Sequence, residues 1–373
     1  MECVFERLGV TKQEVSERLN AIFDTLFYGS DDERIYHPVG DDMGYIEDTG
    51  NHDSRTEGMS YGMMMCVQMN RKEEFDRIWK WAKTYMYMDE GVNSGYFAWS
   101  CATDGSKNAY GPAPDGEEYF AMALLFAAHR FGNGEGIFNY EAEAKKLLKD
   151  MAKKGMNGTP GRAMFDPDNH LIRFICEVDF SDPSYHLPHF YDLFAQWADE
   201  EDREFYKLAA KASREYLKKA CHKKTGFSAE YAEFDGTPLP NAEKMWGSRR
   251  DWYFSDAYRT IMNICLDYAW NGINEWAKTE AETFADYMVN TIGVDNWNHI
   301  FEVDGEMLKE SAMHPTAIIA TNATTALVVN NAATDVCLKK FWDTPLRTGD
   351  RRYYDNCLYF FAFLCLSGNY KIY

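Results

Sequence analysis

Helical spacing recurs almost from end to end of this 373-residue chain, while the alternation expected of strands is nearly absent. That contrast restricts the fold more than any other feature of the sequence. Thr11-Lys-Gln-Glu14 has the form of a capping box, and Val15, Leu19, Ile22, Phe23 and Leu26 follow it at helical intervals. Similar spacing predicts helices over residues 61–69, 72–87, 117–131, 140–154, 188–197, 202–220, 256–270, 272–292, 315–331, 335–342 and 355–368. One short strand is expected at 171–178. The βαβ rhythm of a parallel sheet is missing. Long loops rich in Gly, Pro and Asp alternate with short ones, as in paired helices whose long connections gather at one end and carry function. An all-α toroid of six helix pairs, an (α/α)6 barrel forming one domain over residues 1–373, satisfies the pattern. An α-solenoid would satisfy the periodicity too, although no repeated unit is visible.

Composition narrows the partners. The formal net charge is −20 and no basic stripe is present, which argues against nucleic acid. No run approaches the roughly eighteen apolar residues of a membrane span. The opening residues Met-Glu-Cys-Val-Phe-Glu-Arg-Leu lack the basic-then-apolar order of a signal peptide. Nine cysteines without CxxC spacing fit a reduced chain. The expectation is a soluble, cytoplasmic protein. Ten Trp and 24 each of Tyr and Phe suit a core, and equally a groove that stacks sugar rings.

The stretch from Asp53 to Met65 carries a single acid, Glu57, and then turns into an apolar face of Met59, Met63, Met64 and Val67. Ser54-Arg-Thr-Glu57 satisfies a second capping box, so Glu57 is either a cap or a reagent, and spacing alone favours the cap. Gly58-Met-Ser60-Tyr-Gly62 matches the nucleophile elbow but lacks the apolar strand which that motif requires. His186-Leu-Pro-His189 has metal-like spacing, but Pro188 interrupts it and no third ligand is evident; it reads as polar lining of a cleft. Asp115 precedes a helix, and Asp256 follows Ser255, its expected N-cap. Each acid has an ordinary explanation as a helix-start residue. All three, however, sit where a long loop enters a helix, and in a barrel of paired helices such ends share one rim. Among Tyr61, Trp99 and Tyr185 they would form an acidic, aromatic-walled cleft.

Glycoside hydrolysis needs that arrangement. One carboxylic acid protonates the leaving oxygen, and a second carboxylate attacks or activates water, a separation of roughly 6.5–9.5 Å selecting inversion. A helix start would hold Glu57 ionised, so another group must keep its proton on, and Asp115 is the expected one.

At these residues the sequence resembles glycoside hydrolase family 8. Arg55-Thr-Glu57-Gly-Met-Ser-Tyr61 is similar to the stretch that holds that family's general acid, and Ser255-Asp256-Ala-Tyr-Arg259 to the segment with its inverting base. Ala-Pro-Asp115-Gly-Glu-Glu is similar to the site of its third acid, which contacts the sugar at subsite −1. The likeness continues through Asp182-Pro-Ser-Tyr185-His186 to Arg351-Arg-Tyr353-Tyr354. It is strongest to members that release xylose from the reducing end of xylo-oligosaccharides. The resemblance implies an (α/α)6 barrel, inversion, no metal or cofactor, Glu57 as acid and Asp256 as base. It further implies that Tyr185 holds the attacking water, that Asp115 and Arg259 hold the −1 sugar, and that Trp99 stacks on a neighbouring ring. Arg55, Tyr61, His186, His314, Tyr353 and Tyr354 complete the implied substrate contacts, His314 within a kinked loop that closes the cleft past subsite +1. The segment from Trp246 to Trp252 departs from the family pattern and makes Asp251 a second candidate base. Asp256 is preferred because Ala-Tyr-Arg259 follows it. An endo-acting xylanase, glucanase or chitosanase is the alternative, and a non-catalytic sugar-binding toroid the remaining one.

Overall fold

Whether a helix of this chain is apolar on one side or on every side decides where it lies. The computed structural model describes residues 2–242, 245 and 247–373, and among these are twelve α-helices. α1 (Lys12–Tyr28), α3 (Lys72–Trp81), α5 (Tyr140–Lys153), α7 (Glu200–Ala220), α9 (Trp276–Asp286) and α11 (Ala332–Asp343) each bury one stripe. α2 (Thr56–Gln68), α4 (Pro114–Phe131), α6 (Pro188–Trp197), α8 (Tyr258–Asn271), α10 (Pro315–Ala323) and α12 (Arg352–Leu366) are buried over most of their surface. The even-numbered helices pack in sequence, α2 on α4 through to α10 on α12, and α12 returns to α2. Each odd-numbered helix lies outside, α3 on α2, α5 on α4, α7 on α6, α9 on α8, α11 on α10 and α1 on α12. The ring closes, so the chain is an (α/α)6 barrel and not a solenoid. One apolar cluster extends from Phe5 to Tyr370 through it.

Local signals explain several boundaries. Thr11 Oγ1 accepts from the Glu14 amide at 3.2 Å, and the Thr11 amide donates to Glu14 Oε2 at 2.7 Å, so the expected capping box starts α1. Pro114, Pro188 and Pro315 open three inner helices, where a missing N–H costs nothing. Gly272, at φ 69°, ends α8 in the left-handed region, so the helix expected from 272 begins later, at Trp276. It loosens into a π-turn over Tyr287–Ile292, and the helix expected to reach 331 tightens to 3-10 over Thr324–Leu327.

The rim loops hold seven short strands among the described residues: β1 (Tyr36–Val39), β2 (Met43–Ile46), β3 (Asp53–Arg55), β4 (Ser100–Ala102), β5 (Trp252–Tyr253), β6 (His299–Glu302) and β7 (Met307–Ser311). They pair antiparallel as β1–β2, β3–β4 and β5–β6–β7. The strand expected at 171–178 does not form, beyond one bridge from Phe165 to Ile172. The Met164 amide, which a ladder would pair with the Arg173 carbonyl, donates instead to the Met151 carbonyl at 3.0 Å. No helix among the described residues is long and apolar enough to cross a membrane.

Candidate active site

The β3–β4 pair delivers the chain to the cleft. Arg55 lies opposite Ser100, and the Thr56 amide donates to the Trp99 carbonyl at 3.0 Å, so the Arg55 guanidinium sits 5.3 Å from the Trp99 ring. Asp53 and Asp48 hold its Nε at 3.0 and 3.1 Å. α2 then begins, but the second capping box is not made. Arg55 is the N-cap residue and offers no side-chain cap, and Ser54 Oγ meets no hydrogen-bond partner among the described residues. The Glu57 carboxylate faces the other way: Oε1 accepts from Tyr353 Oη at 2.7 Å and Oε2 from Arg259 Nη1 at 2.9 Å. Gly58 makes this possible, because a Cβ there would stand 2.7 Å from the Tyr353 ring. Ser60, the would-be nucleophile, is fully buried and donates to the Glu57 carbonyl at 3.0 Å.

Arg259 links the other groups. Its Nη1 also donates to Asp115 Oδ2 and to Tyr61 Oη, both at 3.0 Å. Its Nη2 lies 3.5 Å from Asp256 Oδ1 and 4.0 Å from Asp182 Oδ2, and its Nε donates to Ser184 Oγ at 3.2 Å. Ser255 does not cap α8 as expected. It takes φ 43°, and this sharp turn, fixed by Tyr354 Oη donating to the Ser255 carbonyl at 3.1 Å, presents Asp256 to the cleft.

Burial pushes Glu57 up to about 7, the charges of Asp115 and Asp256 adding to the effect while Arg259 and the Tyr353 hydroxyl oppose it. The sequence reading made Asp115 the cause; desolvation is the larger one. Asp115 is itself raised by burial and by Asp256, with Arg259 pulling it back. Glu57 is therefore able to hold a proton near neutrality.

The cleft has two lobes. One, of about 430 Å³, runs past Trp99, Asp115, Phe174 and Tyr185. The other, of about 300 Å³, runs past Trp252, Met313, His314, Tyr353 and Tyr354. Arg55, Glu57, Arg250, Ser255 and Asp256 line both, so the two acids stand where the lobes meet.

Two expected substrate contacts lie elsewhere. Tyr61 lines neither lobe and reaches the site through Arg259. His186 is enclosed, each ring nitrogen 2.8 Å from a hydroxyl oxygen, that of Ser181 or Ser213, and stacks on Tyr216. Burial lowers its imidazole to about 3, so it is a neutral core residue. His189 is likewise buried, against Phe190 and Trp270, so the histidine pair does not line the cleft. Asp251 also lines neither lobe; Arg249 Nε donates to it at 2.8 Å and Arg249 Nη1 to Glu302 at 2.7 Å. Trp246, at the start of that segment, lies outside the described residues.

Three participants went unassigned in the sequence. Arg250 enters both lobes, held by buried Glu230, whose Oε1 accepts from Arg250 Nη1 at 3.1 Å and whose Oε2 accepts from Trp252 Nε1 at 2.7 Å. Glu230 sits in a loop without periodicity and carries no signal. Asp182 had one, its place three residues before Tyr185.

Comparison with known proteins identifies the family. The model of glycosyl hydrolases family 8 matches residues 41–367. The chain belongs to glycoside hydrolase family 8. It is a glycosidase, and the (α/α)6 barrel is its family fold. The reducing end xylose-releasing exo-oligoxylanase of Halalkalibacterium halodurans is 54% identical over 371 residues, covering 99% of this chain and 93% of the relative. Rex8A of Paenibacillus barcinonensis, a reducing-end xylose-releasing exo-oligoxylanase, is 50% identical over 99% of this chain and 96% of its own. Its structure complexed with xylose matches at a TM-score of 0.96 and 49% identity, covering 100% of this chain and 97% of that one.

Proposed function

We propose that this family 8 enzyme releases xylose from the reducing end of β-1,4-xylo-oligosaccharides with inversion. Glu57 gives its proton to the glycosidic oxygen as the C1–O bond breaks. Asp256 takes a proton from the water whose oxygen attacks C1 from the opposite face. Each turnover leaves Asp256 protonated and Glu57 ionised, and exchange with solvent restores both. Tyr185 holds the water beside Asp256, Asp115 and Arg259 hold the −1 sugar, and Trp99 stacks on a neighbouring ring. The observation that carries the reading is Glu57, able to keep a proton to about pH 7, standing with Asp256 where the two lobes meet. The names of the two relatives, and the xylose in the structure of one, support the substrate class. His314 and Met313 in the smaller lobe support an exo mode, since they wall the side that would take the leaving unit. Residues 1–373 act as one catalytic domain. Nine unpaired cysteines, eight of them buried, support a reducing, cytoplasmic setting.

Xylotriose should yield xylose and xylobiose, and its alditol should be left intact. The new reducing end of the shortened product should start as the α-anomer by proton NMR. Products of random size from polymeric xylan would instead mark an endo enzyme. Full turnover by a folded Glu57→Ala variant would remove Glu57 as the acid, and native protein that binds xylotriose without cleaving it would be the non-catalytic, sugar-binding toroid.

A further inference from the structure

One guanidinium serves four carboxylates in this site: Arg259 faces Glu57 and Asp115 with Nη1, and Asp256 and Asp182 with Nη2. Asp182 lies farthest from it and is the most deeply enclosed of them. It is fully buried, and its Oδ1 accepts from the Ser184 amide at 2.7 Å, which caps the one-turn 3-10 segment Pro183–Tyr185. That turn carries Tyr185 to the cleft. Ser184 is gripped from α8 as well, its Oγ by Arg259 Nε at 3.2 Å and its carbonyl by Asn263 Nδ2 at 2.8 Å. Asp182 Oδ2, in contrast, meets no hydrogen-bond partner among the described residues, and neither does Arg259 Nη2.

The charged or titratable groups around it are Asp256, Arg259, Tyr185, Tyr216 and Tyr231. Burial holds the three phenols neutral, so Arg259 is the sole cation in that set, and at 3.5 Å it stands closer to Asp256 than to Asp182. A further anion with a bare oxygen in this enclosure is strongly disfavoured, and taking up a proton is the usual escape. Burial and the charge of Asp256 both push Asp182 well above the carboxylate range.

We propose that Asp182 is a positioning residue that stays protonated through the working cycle. Its neutral carboxyl pins the turn bearing Tyr185 and leaves the second arm of Arg259 to Asp256. Were Asp182 ionised, it would compete for Arg259 and repel charge from the base. Two protons are then resident in the site, one on Glu57 for delivery and one on Asp182 that is never delivered.

The test is the pH dependence of kcat/KM on xylotriose for Asp182→Asn and Asp182→Ser, both neutral and both able to accept from the Ser184 amide. The acidic limb, which reports ionisation of Asp256, should stay where it is in the native enzyme, whatever happens to kcat. A shift of that limb to lower pH by about a unit or more would show that a negative charge had been removed and would overturn the proposal. The infrared difference between native enzyme and Asp182→Asn, taken above the titration of Glu57, should show loss of one protonated-carboxyl band. Loss of an ionised-carboxylate band instead, or failure of both neutral variants to fold, would also refute it. The inference rests on Asp256 as base, and the two fail separately: undiminished turnover by Asp256→Asn removes that assignment, while a moved limb in Asp182→Asn removes only this one.

Discussion

Replacing Tyr353 by Phe isolates one of the opposing influences on the acid. The variant keeps the ring beside Gly58 and deletes the hydroxyl that donates to Glu57 Oε1 at 2.7 Å. A hydrogen bond to a charged acceptor is worth roughly 1.5–3 kcal/mol and one to a neutral acceptor roughly 0.5–1.5 kcal/mol. The hydroxyl therefore favours the ionised acid by about 1.5 kcal/mol, which at 1.36 kcal/mol per unit is about one pH unit. As the proposed acid Glu57 works protonated, so kcat/KM should fall as pH rises through its pKa. Removing a group that favours the anion raises that pKa, and the basic limb should move from about 7 to about 8. Initial rates of xylose release from xylotriose across the neutral range measure it. Peak kcat/KM should fall as well, because Tyr353 lines the smaller lobe, but the limb position is independent of that loss. A limb that stays put, or moves to lower pH while the variant is folded, would refute either the hydrogen bond's role or Glu57 as the titrating acid.

Asp115→Asn should move the same limb down, since the Asp115 charge raises Glu57, yet by less than a full return to an ordinary carboxylate, because burial remains; pH–rate profiles on xylotriose decide it. Gly58→Ala forces a Cβ to within 2.7 Å of the Tyr353 ring and should cost about 1–3 kcal/mol in urea unfolding while depressing kcat; unchanged activity would mean that Tyr353 can shift freely. Thr11→Ala should cost about 1 kcal/mol by loss of a cap, whereas Ser54→Ala, at a hydroxyl without a partner among the described residues, should change stability by less than about 0.5 kcal/mol. Equal costs in thermal melts would restore the discarded cap at Glu57.

The barrel was legible because helical spacing runs through the chain and long loops alternate with short ones; the structure adds that α12 is buried on every side and α7 along one stripe. The three rim acids were legible as loop-to-helix residues, though only their convergence on Arg259 separates them from ordinary helix-start acids. Strands of two to five residues leave too few alternations to detect, which is why β3 and β4, the pair that sets Trp99 beside Arg55, went unseen. His186 was misplaced for a different reason. Two histidines three positions apart look like cleft lining, but here Ser181 and Ser213 satisfy both ring nitrogens of His186 inside the core. Burial as the main cause of Glu57's shift was invisible as well, because desolvation belongs to the assembled fold and to no single residue.

Closure of the inner ring by α12 against α2 has a consequence for synthesis in the cell. Glu57 and Tyr353 are separated by 296 positions, and Arg259 reaches Glu57 across 202. Glu57 is synthesised well before the Arg259 and Tyr353 groups that meet its carboxylate. The Glu57 carboxylate therefore meets both partners only once α12 has packed against α2, so the site is completed by ring closure and not by any local segment.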